Sequence, residues 1–213
     1  AQFRVLVTRR PKYACRRCAQ SVAQAHAPEH VVPGGLPTEL FIAWIIVSKF
    51  GDHLPFYRQA EIFKRQGIDL DRGTLGNWVG RACFHLMPII NHMKAHLRGA
   101  DRIFVDETRA PVLDPGAGKT KTGYLWALTR DDRGWGGEDP PAVVFTYAPG
   151  RHGSHAMDIL RGFEGILQVD GYTGYNALAG PGRVGGKPLT LAYCWAHARR
   201  KLHDIYQKDG SEI

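Results

Sequence analysis

Arg102-Ile103-Phe104-Val105-Asp106 and Gly165-Ile166-Leu167-Gln168-Val169-Asp170 are the two stretches on which the fold turns. Each is a short apolar run that ends in an acid, the pattern of a strand that delivers a carboxylate to one end of a sheet. Between them, residues 123–129 (GYLWALT) and 142–148 (AVVFTYA) are rich in β-branched and aromatic side chains and read as two further strands. Residues 115–121 and 131–141 carry Gly, Pro and charge, so they read as the loops of hairpins. Beyond them, residues 154–161 suit a short helix and 173–178 another. Residues 189–193 make a fifth strand that feeds a helix from about Trp195 to Gln207. The predicted order is β-β-β-α-β-α-β-α.

Three hairpin-linked strands followed by α-β-α-β-α is the order of a ribonuclease-H-like fold, an α/β class with a mixed sheet flanked by helices. In that fold a carboxylate on the first strand pairs across adjacent strands with one at the end of the fourth. Asp106 and Asp170 occupy those places. Taken singly, each acid is an ordinary turn residue; the paired placement inside the matching order of elements points instead to a cation site. Phosphodiester cleavage uses such a pair because two Mg²⁺ ions, roughly 3.5 to 4 Å apart, need hard oxygen ligands. Glu107 is left out, since alternation along a strand points it to the opposite face.

Working outward, residues 38–99 read as a helical, helix-turn-helix-like region between a core at 100–213 and an N-terminal piece at 1–37. Thr38 is an N-cap candidate, and Leu40, Ile42, Trp44, Ile45, Val47 and Phe50 predict a helix apolar nearly all round and therefore buried. Pro55 suits the first turn of a second helix and Gly67 its stop. A third helix, capped by Asp71 or Thr74, would present Arg72, Thr74, Asn77 and Arg81, side chains that reach phosphates or base edges. A fourth helix is predicted over residues 84–97. Val32-Pro33-Gly34-Gly35-Leu36-Pro37 reads as a linker.

Within residues 1–37, Cys15-Arg16-Arg17-Cys18 is half of a zinc ribbon. Only His26 and His30 are close enough in sequence to complete the shell, and a pair of reduced thiols is the alternative. Near the other end, Cys194-Trp195-Ala196-His197 opens a helix that continues Arg199-Arg200-Lys201. Two ligands do not make a zinc site, and His197 with Arg199, Arg200 and Lys201 reads as a path for a phosphate backbone beside the acids.

The 28 Lys and Arg against 20 Asp and Glu give a net charge of +8, which favours polyanionic partners. No apolar run approaches the roughly 20 residues a membrane span needs, so no membrane role is expected. Four unevenly spaced cysteines do not make a secreted disulfide framework, and a reducing, cytoplasmic setting is expected. The chain begins at Ala1, without methionine, and is expected to be the interior of a longer protein.

Five stretches, P-K-Y-A-C-R-R-C, V-S-K-F-G-D-H-L-P-F-Y-R-Q, F-V-D-E-T, L-Q-V-D-G-Y-T-G-Y-N and C-W-A-H-A-R-R-K, together resemble transposases of the insertion-sequence-66 family, DDE enzymes with a ribonuclease-H-like core. The resemblance implies Mg²⁺-dependent strand cleavage and transfer at the ends of a mobile element, with DNA as partner, an oligomeric transpososome in the full-length protein and a nucleoid-associated place in a bacterial cytoplasm. It matches Asp106 and Asp170 to the first two acids of the triad, Cys15 and Cys18 to the second knuckle of a Zn²⁺-binding region, and Cys194 with His197 to a C-x-x-H after the fifth strand. The first knuckle would precede Ala1 and the third acid would follow Ile213, so the core is incomplete and this chain is expected to bind DNA without cutting it; Glu212, the penultimate residue, is not assigned the role. Two other functions fit the same residues: a non-catalytic DNA-binding protein that uses the fold as scaffold, and a nuclease or resolvase of the ribonuclease-H-like class.

Overall fold

The computed structural model describes residues 3–18 and 21–210; Glu212 lies outside the described residues. The chain divides into two compact units, Ala1–Pro88 and Ile89–Ile213.

In the first unit, β1 (Lys12–Ala14) and β2 (Val22–Gln24) form an antiparallel hairpin in which Tyr13 pairs with Ala23. Helix α1 (Glu39–Phe50) starts where Thr38 Oγ1 accepts the Phe41 N–H at 3.3 Å, as an N-cap should. Thr38→Ala is therefore expected to lower stability by about 1 kcal/mol in a denaturant titration, while Thr38→Ser leaves it nearly unchanged. The expectation that α1 is buried all round is corrected. Ile42, Ile45 and Ser48 are buried, but Leu40, Val47 and Phe50 are exposed, so α1 packs by one stripe like an ordinary surface helix.

Helix α2 (Phe56–Arg65) follows Pro55, and Gly67 beyond its end adopts φ +83°, a left-handed conformation that suits glycine. Helix α3 (Arg72–Arg98) begins where Asp71 Oδ2 accepts the Gly73 N–H at 2.9 Å. It runs unbroken through the boundary at which a fourth helix was expected, because residues 82–84 offer no cap or breaker. Pro88 lies inside the helix, where it has no N–H to donate to the preceding turn. Ile42 and Ile45 pack with Phe63, Leu75, Trp78 and Val79 in the core of this unit. Buried Gln59 donates through Nε2 to the carbonyls of Ile45 and Leu54 at 3.2 and 2.9 Å, while its Oε1 has no partner among the described residues.

The second unit holds β3 (Arg102–Asp114), β4 (Lys119–Arg130), β5 (Ala142–Ala148), α4 (Gly153–Ile159), β6 (Ile166–Val169), β7 (Thr190–Tyr193) and α5 (Trp195–Asp209). The sheet order is β5-β4-β3-β6-β7. β4 is antiparallel to both β3 and β5, whereas β6 is parallel to both β3 and β7. This mixed α/β architecture is compatible with the ribonuclease-H-like fold.

Two expectations about its elements are corrected. β3 does not stop at Asp106 but continues to Asp114, because β4 pairs with it from Phe104↔Thr129 to Asp114↔Lys119. Residues Thr173–Leu178 form a 3₁₀ helix rather than an α-helix; its period of three brings Tyr175 and Leu178, both buried, onto one side. One face of the sheet, with Ile103, Val105, Trp126, Leu128, Leu167 and Val169, packs against Leu97, Ala156, Leu160, Phe163, Tyr175 and Leu178. Among the described residues no helix is long and apolar enough to cross a membrane.

Candidate active site

The parallel pairing of β3 with β6 sets the site. Its register, Arg102↔Ile166, Ile103↔Leu167 and Phe104↔Gln168, continued by two residues, puts Asp106 level with Asp170. The register of β6 with β7 ends at Val169↔Tyr193, and one residue further puts Asp170 level with Cys194, whose N–H donates to the Val169 carbonyl at 2.9 Å. Asp106, Asp170 and Cys194 thus stand in a row toward the carboxyl ends of parallel strands, the side of an open α/β sheet on which ligands bind.

Asp106 is exposed, and its Oδ1 accepts the Glu107 N–H at 2.9 Å. Asp170 is half-buried, and its Oδ1 accepts the Tyr172 N–H at 2.8 Å across Gly171, which adopts φ +92° to make the turn. Both acids offer hard oxygen atoms, the donor chemistry that Mg²⁺ prefers. Among the described residues no three His, Cys, Asp or Glu side chains converge as a cage.

Alternation does turn Glu107 away from Asp106, as expected, but it turns Glu107 into a buried charge network. Its side chain has 0% exposure, Oε1 accepts from Arg151 Nε, and Oε2 accepts from the Tyr175 hydroxyl. Burial, and then the hydrogen bond to Glu107, push the Tyr175 pKa far above its ordinary value, so the phenol stays a donor. Burial opposes the Arg151 charge, but Glu107 and then Asp170 outweigh it and leave the guanidinium pKa raised. Arg151 Nη2 stands 3.6 Å from Asp170 Oδ2, and its Cζ lies 3.9 Å from the centre of the Tyr172 ring. Tyr172 also donates its hydroxyl proton to the Arg151 carbonyl at 3.0 Å.

Sequence reasoning missed Arg151, Tyr172 and Tyr175. The two tyrosines sit in the G-Y-T-G-Y-N motif, whose repeated aromatics were the available signal; Arg151, in a Pro-Gly turn, carried none.

The other predicted residues divide between the two units. On α3, Arg72, Asn77 and Arg81 are exposed and Thr74 is half-buried, with Arg81 Nε donating to Asn77 Oδ1 at 3.1 Å. On α5, Arg199, Arg200 and Lys201 are exposed. His197 is half-buried, and its proximity draws the Cys194 thiol pKa down.

Cys15 and Cys18 are exposed and unpaired, and the backbone N–H groups of Cys18 and Arg17, aimed at the Cys15 sulfur, lower its pKa. His30 Nδ1 is 2.9 Å from Glu39 Oε1, and among the described residues no three-residue cluster includes Cys15, Cys18, His26 or His30.

The family model described as "Transposase IS66 family" matches residues 34–213. The chain belongs to the IS66 transposase family. The matched residues include the acid row, Glu107, Arg151 and the C-x-x-H of α5, whereas Cys15 and Cys18 precede them. Among the relatives of this IS66 chain are three proteins of Sinorhizobium fredii (strain NBRC 101917 / NGR234), each named as uncharacterized. It is 49% identical to y4jD over 99% of this chain and 42% of that protein. It is 45% identical to y4qI over 96% of this chain and 38% of that protein. With y4hP the identity is 39%, over 96% and 36%. The IS66 chain therefore spans about two fifths of the length of the curated relatives it matches.

Proposed function

We propose that this chain carries two of the three acids of a DNA strand-cleavage and strand-transfer centre, acting with Mg²⁺ at the ends of an insertion sequence. The observation that supports it is the level placement of Asp106 and Asp170 on adjacent parallel strands of a sheet in the order β5-β4-β3-β6-β7. In this reading Asp106 and Asp170 would hold the Mg²⁺, with the third acid following Ile213, as the family resemblance implies. Bound Mg²⁺ supplies activation of the attacking oxygen and charge stabilisation of the leaving one. The exposed Asp106 carboxylate faces incoming substrate, while the Gly171 turn and the Tyr172 N–H fix Asp170 in orientation. The basic faces of α3 and α5, through Arg72, Arg81, Arg199, Arg200 and Lys201, neutralise DNA phosphates and position the duplex, and Thr74, Asn77 and His197 add polar contacts.

The test is incubation of the full-length transposase with a labelled element-end duplex and Mg²⁺. Nicking at the element end is expected. Binding without cleavage would favour the scaffold reading, and cleavage that follows DNA branching rather than the element end would favour a resolvase.

Zinc belongs to the same proposal. Cys15 and Cys18 are half a tetrahedral shell, and a structural zinc contributes folding energy only when the shell is closed. Elemental analysis is expected to find well under one zinc per chain here and one in the full-length protein. Stoichiometric zinc in this chain, lost with Cys15→Ser, would refute that.

A further inference from the structure

Glu107 and Arg151 make a charge pair that neither the acid row nor the predicted DNA-binding helices require. A buried carboxylate is weak evidence for stability, because its desolvation offsets most of what its partner returns. The Glu107 side chain has no exposed surface and each of its oxygens already accepts a hydrogen bond, so it presents no open oxygen to solvent. What it does is fix a cation. Arg151 Nε points to Glu107 and one guanidinium face lies against Tyr172, so the plane of the group is held from two directions.

The other edge of that plane makes no hydrogen bond among the described residues and meets Asp170 only as a longer ion pair. The contact of Nη2 with Asp170 Oδ2, at 3.6 Å, is longer than a hydrogen bond, and among the described residues neither Nη1 nor Nη2 donates one. The side chain remains 40% exposed beside Asp170. A planar fork with unused N–H donors, oriented in advance and open to solvent, is suited to two oxygens of one phosphate. An arginine that served only to neutralise the acids would need no such orientation.

We propose that Arg151 receives a phosphate of the DNA strand beside Asp170, and that Glu107, Tyr172 and Tyr175 are positioning residues that hold its guanidinium for that contact. The inference rests on the reading of this chain as the DNA-acting part of a transposase and adds to it a strand-gripping residue outside the acid triad.

The experiment measures binding of a labelled 20-base-pair duplex to the 213-residue chain by fluorescence anisotropy across a salt series. The paired variant Arg151→Gln with Glu107→Gln removes both charges of the buried pair, so no lone charge is left to unfold the unit. It is expected to bind about tenfold more weakly. Its plot of log affinity against log salt should be shallower by about one, the signature of one lost phosphate contact. Arg151→Lys keeps the charge and the pairing with Glu107, but one ammonium cannot also reach the phosphate, and the same weakening is expected. Glu107→Gln alone leaves the cation in place but unfixed, and should weaken binding with the salt slope unchanged in protein that denaturant titration shows to be fully folded, a pattern that a purely structural role would not produce. Wild-type affinity and slope in Arg151→Lys would overturn the inference while leaving the transposase reading intact. Absence of any binding by the wild-type chain at low salt would overturn both.

Discussion

Asp170→Asn in the full-length transposase is expected to lower Mg²⁺-dependent nicking of element-end DNA by about a thousandfold or more while duplex binding persists. Stabilisation of developing charge by a held metal is worth several kcal/mol, and each 1.36 kcal/mol is a factor of ten in rate. Asp106→Asn should fall equally far, and the double variant little further, because residues that hold one centre act as a unit. Glu107→Gln is the informative comparison. It stands next to Asp106 in sequence but is fully buried on the opposite face, so its loss should cost far less than that of either aspartate. Single-turnover nicking rates with each variant saturated with DNA separate these outcomes. Comparable loss in Glu107→Gln and Asp170→Asn would move the centre from the Asp106 side of β3 to the Glu107 side.

That comparison also marks where the sequence was legible. The order of strands could be read because hairpin loops rich in Gly and Pro separate segments of strong β preference, and the level placement of Asp106 and Asp170 follows from two similar apolar runs paired in parallel. Local rules carried Thr38 as a cap and Gly67 as a stop. They failed where tertiary packing decides. The apolar residues of α1 exceed the stripe that its unit buries, and α3 continues through Pro88 because no cap competes with it. The Glu107 network lies beyond local reading altogether, since its partners are 44 and 68 residues away in the chain. Alternation could say which face Glu107 takes, but not that an arginine from the β5–α4 turn and a phenol from the 3₁₀ helix would meet it there.

The same network sets the largest expected effect on stability. Arg151→Ala leaves the Glu107 carboxylate buried with only the Tyr175 hydroxyl, and breaking a buried ion pair on one side costs about 3–5 kcal/mol. Because Arg151 is itself 40% exposed, water can partly replace it, and a loss of about 2–4 kcal/mol is expected by denaturant titration. Tyr175→Phe removes one hydrogen bond to a charged acceptor and should cost about 1.5–3 kcal/mol. The two variants also differ in pH response. The Tyr175 pKa is raised in the folded state above the ordinary tyrosine value of about 10, so its contribution is fully present below about pH 10 and is lost progressively as pH rises beyond it toward the folded-state pKa. Melting temperatures should therefore fall more steeply in wild type than in Tyr175→Phe above about pH 10, the gap between the two narrowing toward about pH 11. Arg151→Ala, which keeps the phenol beside a carboxylate that has lost its cation, should retain the steep decline; parallel curves for all three proteins would mean that Tyr175 and Glu107 do not share a proton-bearing bond in solution.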